Sequence, residues 1–341
     1  MLNCAVVGAT GYTGVELIKI LLRHPHVEIT GLTTRQKEAI PVRNLIPALP
    51  AEIDLEILPY SFAEIKRKTD VVFLCLPHTE AMETAAKFRE AGKIVIDLSA
   101  DLRLRDWRVY EKWYGVKHKN RELLKHAVYG LTEIYREKIR KADLIANPGC
   151  YPTSAILAIA PLLRENLVDP DSIVIDSKSG VSGAGKKLNQ ATQFCEVDEN
   201  FYAYKIGRHQ HTPEIEQALS DAAGSDVEVT FVPHLLPVDR GILTTVYLNR
   251  RKGASREAIQ EAFRVYENEP FVRLKPGGQF PALRDVQRTN YCDIGYWADP
   301  ESDRVVVVSA IDNLLKGASG QAVQNLNVRA GFPEDEGLKT W

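Results

Sequence analysis

The sequence predicts a two-domain α/β protein: a doubly wound domain on a parallel sheet, then an α+β domain with a mostly antiparallel sheet. Three observations predict this. The chain has 341 residues, beyond the size at which a single core keeps growing. Over the first 150 residues, short apolar runs alternate with helical patterns, which suits parallel strands covered on both faces. After Pro148 the strand-like runs lengthen and fewer helices separate them, which suits antiparallel pairing.

The elements follow in order. LNCAVV (2–7) is a buried strand, and VELIKILLRH (15–24) is an amphipathic helix stopped by Pro25. VEITGLTT (27–34), VVFLCLP (71–77), IVIDLS (94–99) and DLIAN (143–147) are the next strands of the first domain. An apolar helix is expected from about Pro152 or Thr153 onward. SIVIDSKS (172–179), DVEVTFVP (226–233), GILTTVYLN (241–249) and RVVVVSAI (304–311) are strands of the second domain, with helices over 213–223 and 255–267. The last helix starts near Ser319 and stops at Gly331. No flexible linker separates the domains, so a cleft between them is the expected site.

Composition narrows the class. The chain is 45% hydrophobic and 26% charged with a formal charge of −2, so nucleic acid and membrane surfaces are not the expected partners. No run of 18 apolar residues occurs, and the N-terminus reads as a strand rather than a signal peptide; the cytoplasm is the expected location. The five cysteines, Cys4, Cys75, Cys150, Cys195 and Cys292, lie far apart without a C-x-x-C pair, which predicts neither a disulfide framework nor a metal site.

GATGYTG (8–14) lies between the first strand and the first helix, the setting in which helix N–H groups face a dinucleotide pyrophosphate. Gly8, Gly11 and Gly14 permit close approach, Thr10 and Thr13 add hydroxyls, and Tyr12 lies among them. The spacing is G-x-x-G-x-x-G rather than G-x-G-x-x-G. At the end of the second strand Thr33, Thr34 and Arg35 stand where an NAD site places an acid, and Glu38 follows as a solvated residue. A guanidinium beside small hydroxyls suits a 2′-phosphate, so the expected cofactor is NADP(H) on a Rossmann-type domain.

ANPGCYPTS (146–154) holds the most specific chemistry. Cys150 follows a Pro148–Gly149 turn and precedes a helix, where the dipole and N–H groups favour a thiolate and an oxyanion. A thiolate with a nicotinamide implies a covalent thioester or thiohemiacetal joined by hydride transfer. GRHQHTPEIEQ (207–217) supplies His209 and His211 as acid/base candidates before a helix start marked by Thr212, Pro213 and Glu214. An extended segment points the two rings to opposite sides, so one of them faces the thiol, and the residues leave the choice open. The loop SKSGVSGAGKK (177–187) is rich in backbone donors. Arg103 and Arg105 of SADLRLRD, and Arg240 of PHLLPVDRGI beside His234 and Asp239, are candidates for a carboxylate or phosphate.

Together GATGYTG, SADLRL, NPGCYPT, SGVSGAGK, HQHTPEIEQ, PHLLPVDRGI and IDNLLKGASGQAVQN occur in an order that resembles the N-acetyl-gamma-glutamyl-phosphate reductase family from about residue 2 onward. That family is related in fold and chemistry to aspartate-semialdehyde dehydrogenase. The resemblance implies that Cys150 attacks an acyl phosphate, that phosphate leaves a thioester, and that NADPH reduces it to a semialdehyde in arginine biosynthesis. It implies Asn313 and Gly317 near the nicotinamide; Arg103, Ser182, Gly183, Glu214 and Arg240 are the candidates toward the substrate. It also implies a discontinuous cofactor domain, 1–147 with 314–341, a catalytic and oligomerisation domain, 148–313, and a homodimer or homotetramer. An aminoadipate-type phosphate is the alternative substrate, and a non-catalytic NADP sensor the alternative class.

Overall fold

The computed structural model describes residues 1–339. The segment 314–341, expected to complete the first domain, therefore ends with residues 340 and 341 outside the described residues. The described residues divide into two units, 1–148 with 318–339, and 149–317.

The first unit runs β1 (Leu2–Val7), α1 (Tyr12–Leu21), β2 (Val27–Thr34), β3 (Ile40–Pro41), β4 (Glu56–Pro59), α2 (Phe62–Lys68), β5 (Val71–Leu74), α3 (Met82–Glu90), β6 (Ile94–Asp97), α4 (Trp107–Tyr114), β7 (Val128–Tyr129), α5 (Thr132–Ile139), β8 (Leu144–Ala146). Its strands pair in the order β3-β4-β2-β1-β5-β6-β8-β7. All neighbours are parallel except β3 and β4. The order reverses at β1, so the ends of β1, β2 and β5 border the switch point where open sheets bind ligands. The continuous apolar runs are explained by burial on both faces: Val71, Val72, Phe73 and Leu74 of β5 are all 0% exposed. Helix α1 starts at Tyr12, a turn earlier than its apolar pattern suggests, because Gly14 lets it lie against the backbone of Ala9. A Cβ on Gly14 would stand 2.8 Å from the Ala9 carbonyl.

The second unit runs α6 (Cys150–Arg164), β9 (Val174–Gly180), α7 (Phe194–Val197), β10 (Tyr202–Ala203), α8 (Thr212–Ala223), β11 (Thr230–Leu236), β12 (Ile242–Asn249), α9 (Arg256–Phe263), β13 (Val272–Leu274), α10 (Leu283–Val286), β14 (Cys292–Ala298), β15 (Arg304–Ile311). Its sheet has the order β10-β11-β9-β12-β15-β14-β13. Pairing is antiparallel except for β11 with β9 and β13 with β14. Strand β11 begins four residues later than the run 226–233 suggests.

Helix α6 packs against β12 and β15, and every residue from Tyr151 to Leu163 is buried. Its polar residues are satisfied: Ser154 Oγ bonds Thr244 Oγ1 at 3.0 Å and Ser309 Oγ at 2.7 Å. Pro161 has no N–H for the carbonyl of Leu157, and the Tyr266 hydroxyl donates to that carbonyl at 2.9 Å instead.

The chain returns to the first unit in α11 (Gly320–Ala330), entered through a π-turn over Leu315–Ser319 and closed by Gly331 in the left-handed region. Four of its amides, Gln321, Gln324, Asn325 and Asn327, are 0% exposed. Asn325 Nδ2 donates to Gly130 O at 2.8 Å and Asn147 Oδ1 at 3.0 Å, and Asn327 Oδ1 meets His24 Nε2 at 2.9 Å. Polar pairing adds to the apolar burial of Ala322, Val323, Leu326 and Val328 in seating this helix.

Asp97, at the end of β6, is 0% exposed and accepts the Ser99 N–H and hydroxyl at 2.9 and 2.8 Å. Burial, then the Asp101 carboxylate, pushes its carboxyl up to about 7 against the pull of Ser99 and Arg103. An acid raised on folding binds more protons folded than unfolded, so its contribution is lost as pH rises from 3.8 to about 7. Asp97→Asn should flatten the fall in Tm across that window, measured by thermal melts at several pH values. An unchanged slope would contradict the assignment.

Candidate active site

The glycine loop is built by β1, β2 and β5. Gly8 and Ala9 donate N–H to Thr33 O at 3.1 and 2.9 Å, which fastens the loop to β2. Gly8 has φ +89°, and a Cβ there would stand 2.4 Å from Cys75 O, so no other residue fits. Gly11 caps α1 without a side-chain bond, and no acid stands in the first turn. The first N–H groups of Tyr12 and Thr13 therefore lack intrahelical carbonyls, as an anion site requires. Thr13 lends its carbonyl to Ser319 Oγ at 2.8 Å, Tyr12 is 41% exposed, and Thr10 and Thr13 are half-buried.

Beside this loop Thr33, Thr34, Arg35, Tyr60, Glu80 and Thr84 line a cavity of about 190 Å³. Thr33 Oγ1 is buried there without a hydrogen-bond partner, and Thr34 Oγ1 accepts from Gln36 N–H at 3.3 Å. An orphaned hydroxyl, a guanidinium and an uncapped helix start suit a phosphorylated ribose, so these residues fit NADP(H). Glu38 is exposed and does not line the cavity. Glu80 and Tyr60 belong to the lining but lie far from the glycines in sequence, and no motif marks them.

In the second unit, Cys150 is the first residue of α6, not a residue preceding it. The helix starts here because Gly149 takes the extended N-cap conformation, φ −71° and ψ 158°, and Pro152 is tolerated in a first turn. Gly149 N–H donates to Glu214 Oε1 at 2.7 Å, and Glu214 is 1% exposed. Gly317 lies against the cysteine: a Cβ there would meet Cys150 Cβ at 2.7 Å.

The two histidines are not splayed apart. The segment turns rather than extends, because His211 N–H donates to His209 Nδ1 at 3.1 Å and Thr212 N–H to His209 O at 2.9 Å. The rings stand 4.9 Å apart, and both pack edge-on to Tyr151, at 5.5 and 5.9 Å. With Nδ1 accepting, the neutral His209 ring carries its proton on Nε2, 3.4 Å from the Tyr204 hydroxyl. Tyr204 meets the Tyr151 hydroxyl at 3.2 Å, and Tyr151 donates to His234 O at 3.1 Å. Burial pushes the Tyr204 hydroxyl up to about 12, and the Cys150 charge adds to the rise. Burial raises the Tyr151 hydroxyl as well, so both stay protonated beside the thiol. Tyr151 and Tyr204 were not among the sequence candidates, although Tyr151 directly follows the cysteine.

The remaining candidates fall into two groups. Ser182 and Gly183 lie in a short 3-10 turn over Val181–Ala184, held by Ser182 N–H to Asp239 O at 3.0 Å. Asn313 Nδ2 donates to Ser182 Oγ at 3.0 Å, and Asn313 Oδ1 accepts Gly241 N–H at 2.7 Å. Arg240 adjoins this turn and reaches Asp312 at 3.5 Å with its side chain 12% exposed. Burial pushes the Asp312 carboxyl up, and Arg240 opposes that rise. Arg103 belongs to the first unit: it is 5% exposed and donates to Asn147 O at 2.8 Å and Leu98 O at 2.9 Å. Arg105, two residues on, is exposed.

Known proteins match this arrangement. The family model described as the NAD binding domain of semialdehyde dehydrogenase matches residues 3–142, and that described as its dimerisation domain matches residues 150–313. A protein of Pelotomaculum thermopropionicum named N-acetyl-gamma-glutamyl-phosphate reductase is 54% identical over 335 residues, 98% of this chain and 96% of that protein. One of the same name from Desulforudis audaxviator is 50% identical over 99% of this chain and 98% of its own. Among solved structures, aspartate semialdehyde dehydrogenase II of Vibrio cholerae complexed with ASA aligns with a TM-score of 0.74 at 18% identity, covering 97% of this chain and 98% of that one. The Candida albicans aspartate semialdehyde dehydrogenase, solved with NADP, aligns at 0.70 and 18%, covering 96% and 98%. At that identity the structural likeness speaks for the fold, and the curated relatives speak for the family. The chain belongs to the semialdehyde dehydrogenase family, in its N-acetyl-gamma-glutamyl-phosphate reductase branch.

Proposed function

We propose that this chain reduces N-acetyl-L-glutamyl 5-phosphate to N-acetyl-L-glutamate 5-semialdehyde and phosphate, with NADPH, as a step of arginine biosynthesis. The observation that carries the chemistry is Cys150 at the first position of α6, its turn held by Glu214 and flanked by the His209–His211–Tyr151 cluster. The name and near-complete coverage of the relatives support the substrate.

Cys150 Sγ attacks the γ-carbonyl, a C–S bond forms, and the C–O bond to phosphate breaks. The N–H groups at the start of α6 stabilise the oxyanion. When bound, NADPH would supply the hydride to the thioester carbonyl, and the acid/base histidine would protonate the resulting oxyanion to a thiohemiacetal. The same histidine takes back the hydroxyl proton as the C–S bond breaks, releasing the aldehyde and restoring the thiolate. One histidine of the His209–His211 pair is the acid/base: both rings pack on Tyr151, the residue after the cysteine, and His209 also meets His211 N–H and Tyr204. His209 holds the tyrosine pair and His211 in place. Ser182, Gly183 and Arg240 bind the substrate's polar end, and Arg103 serves the backbone before Pro148. Asn313 and Gly317 complete the walls beside Ser182 and Cys150.

In the first unit, the 8–14 loop binds the pyrophosphate and Arg35 the 2′-phosphate. The family model over 150–313 supports a homodimer or homotetramer built on the second unit. Among the described residues no helix is long and apolar enough to cross a membrane, and the proposed location is the cytoplasm.

Cys150→Ser should lower both the reduction and the phosphate-dependent reverse reaction by roughly a thousandfold or more. Intact-mass measurement should show an acyl adduct on the native chain alone; full activity in the variant would remove the thioester. Glu214→Ala strands the Gly149 N–H and should cost about 1–3 kcal/mol of stability with a slower kcat. Glu214→Gln keeps an acceptor and should rescue most of the stability, as read by chemical denaturation. Gly317→Ala should cost about 1–3 kcal/mol through overpacking and change the alkylation rate of Cys150. An unaltered alkylation rate would separate Gly317 from the thiol site.

A further inference from the structure

Three strand ends meet at the switch point of the first sheet. Strand β1 runs into Gly8, β2 ends at Thr34 with Arg35 next, and β5 runs into the loop 75–81. Arg35 and Glu80 come from two of these ends, line the same cavity and form an ion pair there.

Glu80 is held in place by its neighbours. Asp101, 0% exposed, accepts the Thr79 N–H at 2.6 Å and the Ala81 N–H at 2.8 Å, one residue to either side. The Tyr110 hydroxyl donates to the same carboxylate at 2.8 Å. Thr79 has φ 76°, a conformation that a β-branched residue rarely adopts. The Asp101 clamp maintains it, and the loop so shaped carries Glu80 to the end of β2.

A 2′-phosphate calls for a cation, whereas a bare ribose 2′-hydroxyl calls for a carboxylate. This pocket holds both, paired with each other. We propose that Glu80 sets cofactor discrimination: it accepts the ribose hydroxyls of a dinucleotide without the 2′-phosphate, and it competes with that phosphate for Arg35. NADPH remains the preferred cofactor, with a preference over NADH smaller than Arg35 alone would give. The inference rests on the cofactor pocket assigned above.

The side chains of Arg35 and Glu80 are 59% and 40% exposed, so solvent screens their attraction. A phosphate carries more charge and more acceptor oxygens than the carboxylate and displaces it from the guanidinium. Glu80 thus narrows the preference for the phosphorylated cofactor without reversing it.

The test is calorimetric titration of the full chain, without substrate, using adenosine 2′,5′-bisphosphate and 5′-ADP as probes. Glu80→Gln should bind the bisphosphate about fivefold tighter and 5′-ADP about tenfold weaker than the native chain. Arg35→Ala should weaken the bisphosphate and leave 5′-ADP nearly unchanged. The ratio of kcat/KM for NADPH over NADH should rise in Glu80→Gln in step with the affinities. If the affinity ratio is unchanged in Glu80→Gln while Arg35→Ala loses the bisphosphate, the role of Glu80 is overturned and the pocket stands. If the native chain binds neither nucleotide, the pocket and the proposal fall together.

Discussion

In the second unit the start of α6 is tied to α8 by one buried hydrogen bond, from Gly149 N–H to Glu214 Oε1 at 2.7 Å. A bond to a charged acceptor contributes about 1.5–3 kcal/mol, and breaking it would leave a carboxylate buried without that donor. The bond joins the N-terminus of α6 to the first turn of α8, and those two starts carry Cys150 and His211. The body of α6 is packed on all sides from Tyr151 to Leu163, so the helix has no room to slide. Thiol and histidines are therefore placed by rigid elements instead of by loops.

The same economy of polar burial recurs elsewhere. The hydroxyls of Ser154, Thr244 and Ser309 satisfy one another between α6 and the sheet, and Tyr266 answers the carbonyl that Pro161 leaves open. In the first unit the amides of α11 are matched to Gly130, Thr132, Asn147 and His24. Each such bond adds little net stability, but removing one partner costs the full desolvation of the other. These networks specify one seating for each helix.

The candidate cofactor pocket follows from topology. Reversal of strand order at β1 opens a crevice, and the chain fills its rim with Gly8, Thr33, Arg35 and Glu80. The glycines work by absence: Gly8 has no space for a Cβ against Cys75 O, and Gly317 has none against Cys150. Backbone and thiol approach their surroundings only because those positions carry no side chain.

Much was legible in the residues alone. Apolar runs doubly buried in β1 and β5 announced parallel strands, and the glycines announced a tight turn between β1 and α1. Cys150 stood out because a Pro-Gly turn before a helix is a local arrangement, readable from neighbours. Three things were not local. The anchoring of the α6 start to α8 needs Gly149 to meet Glu214, 65 residues away. The clustering of His209 with His211 reflects a turn closed by their own main chain and by Tyr151, which an extended-strand reading separates. Glu80 reaches Arg35 only because β5 lies next to β1, a neighbour relation set by sheet order. Sequence alone determined the main strands around the glycine loop and the cysteine and named the candidate groups, since periodicity and turn chemistry act over a few residues, but it left out β14 and the short β3, β4 and β13. Only the tertiary structure decided which buried polar groups meet, because each such pairing is a contact between segments far apart in the chain.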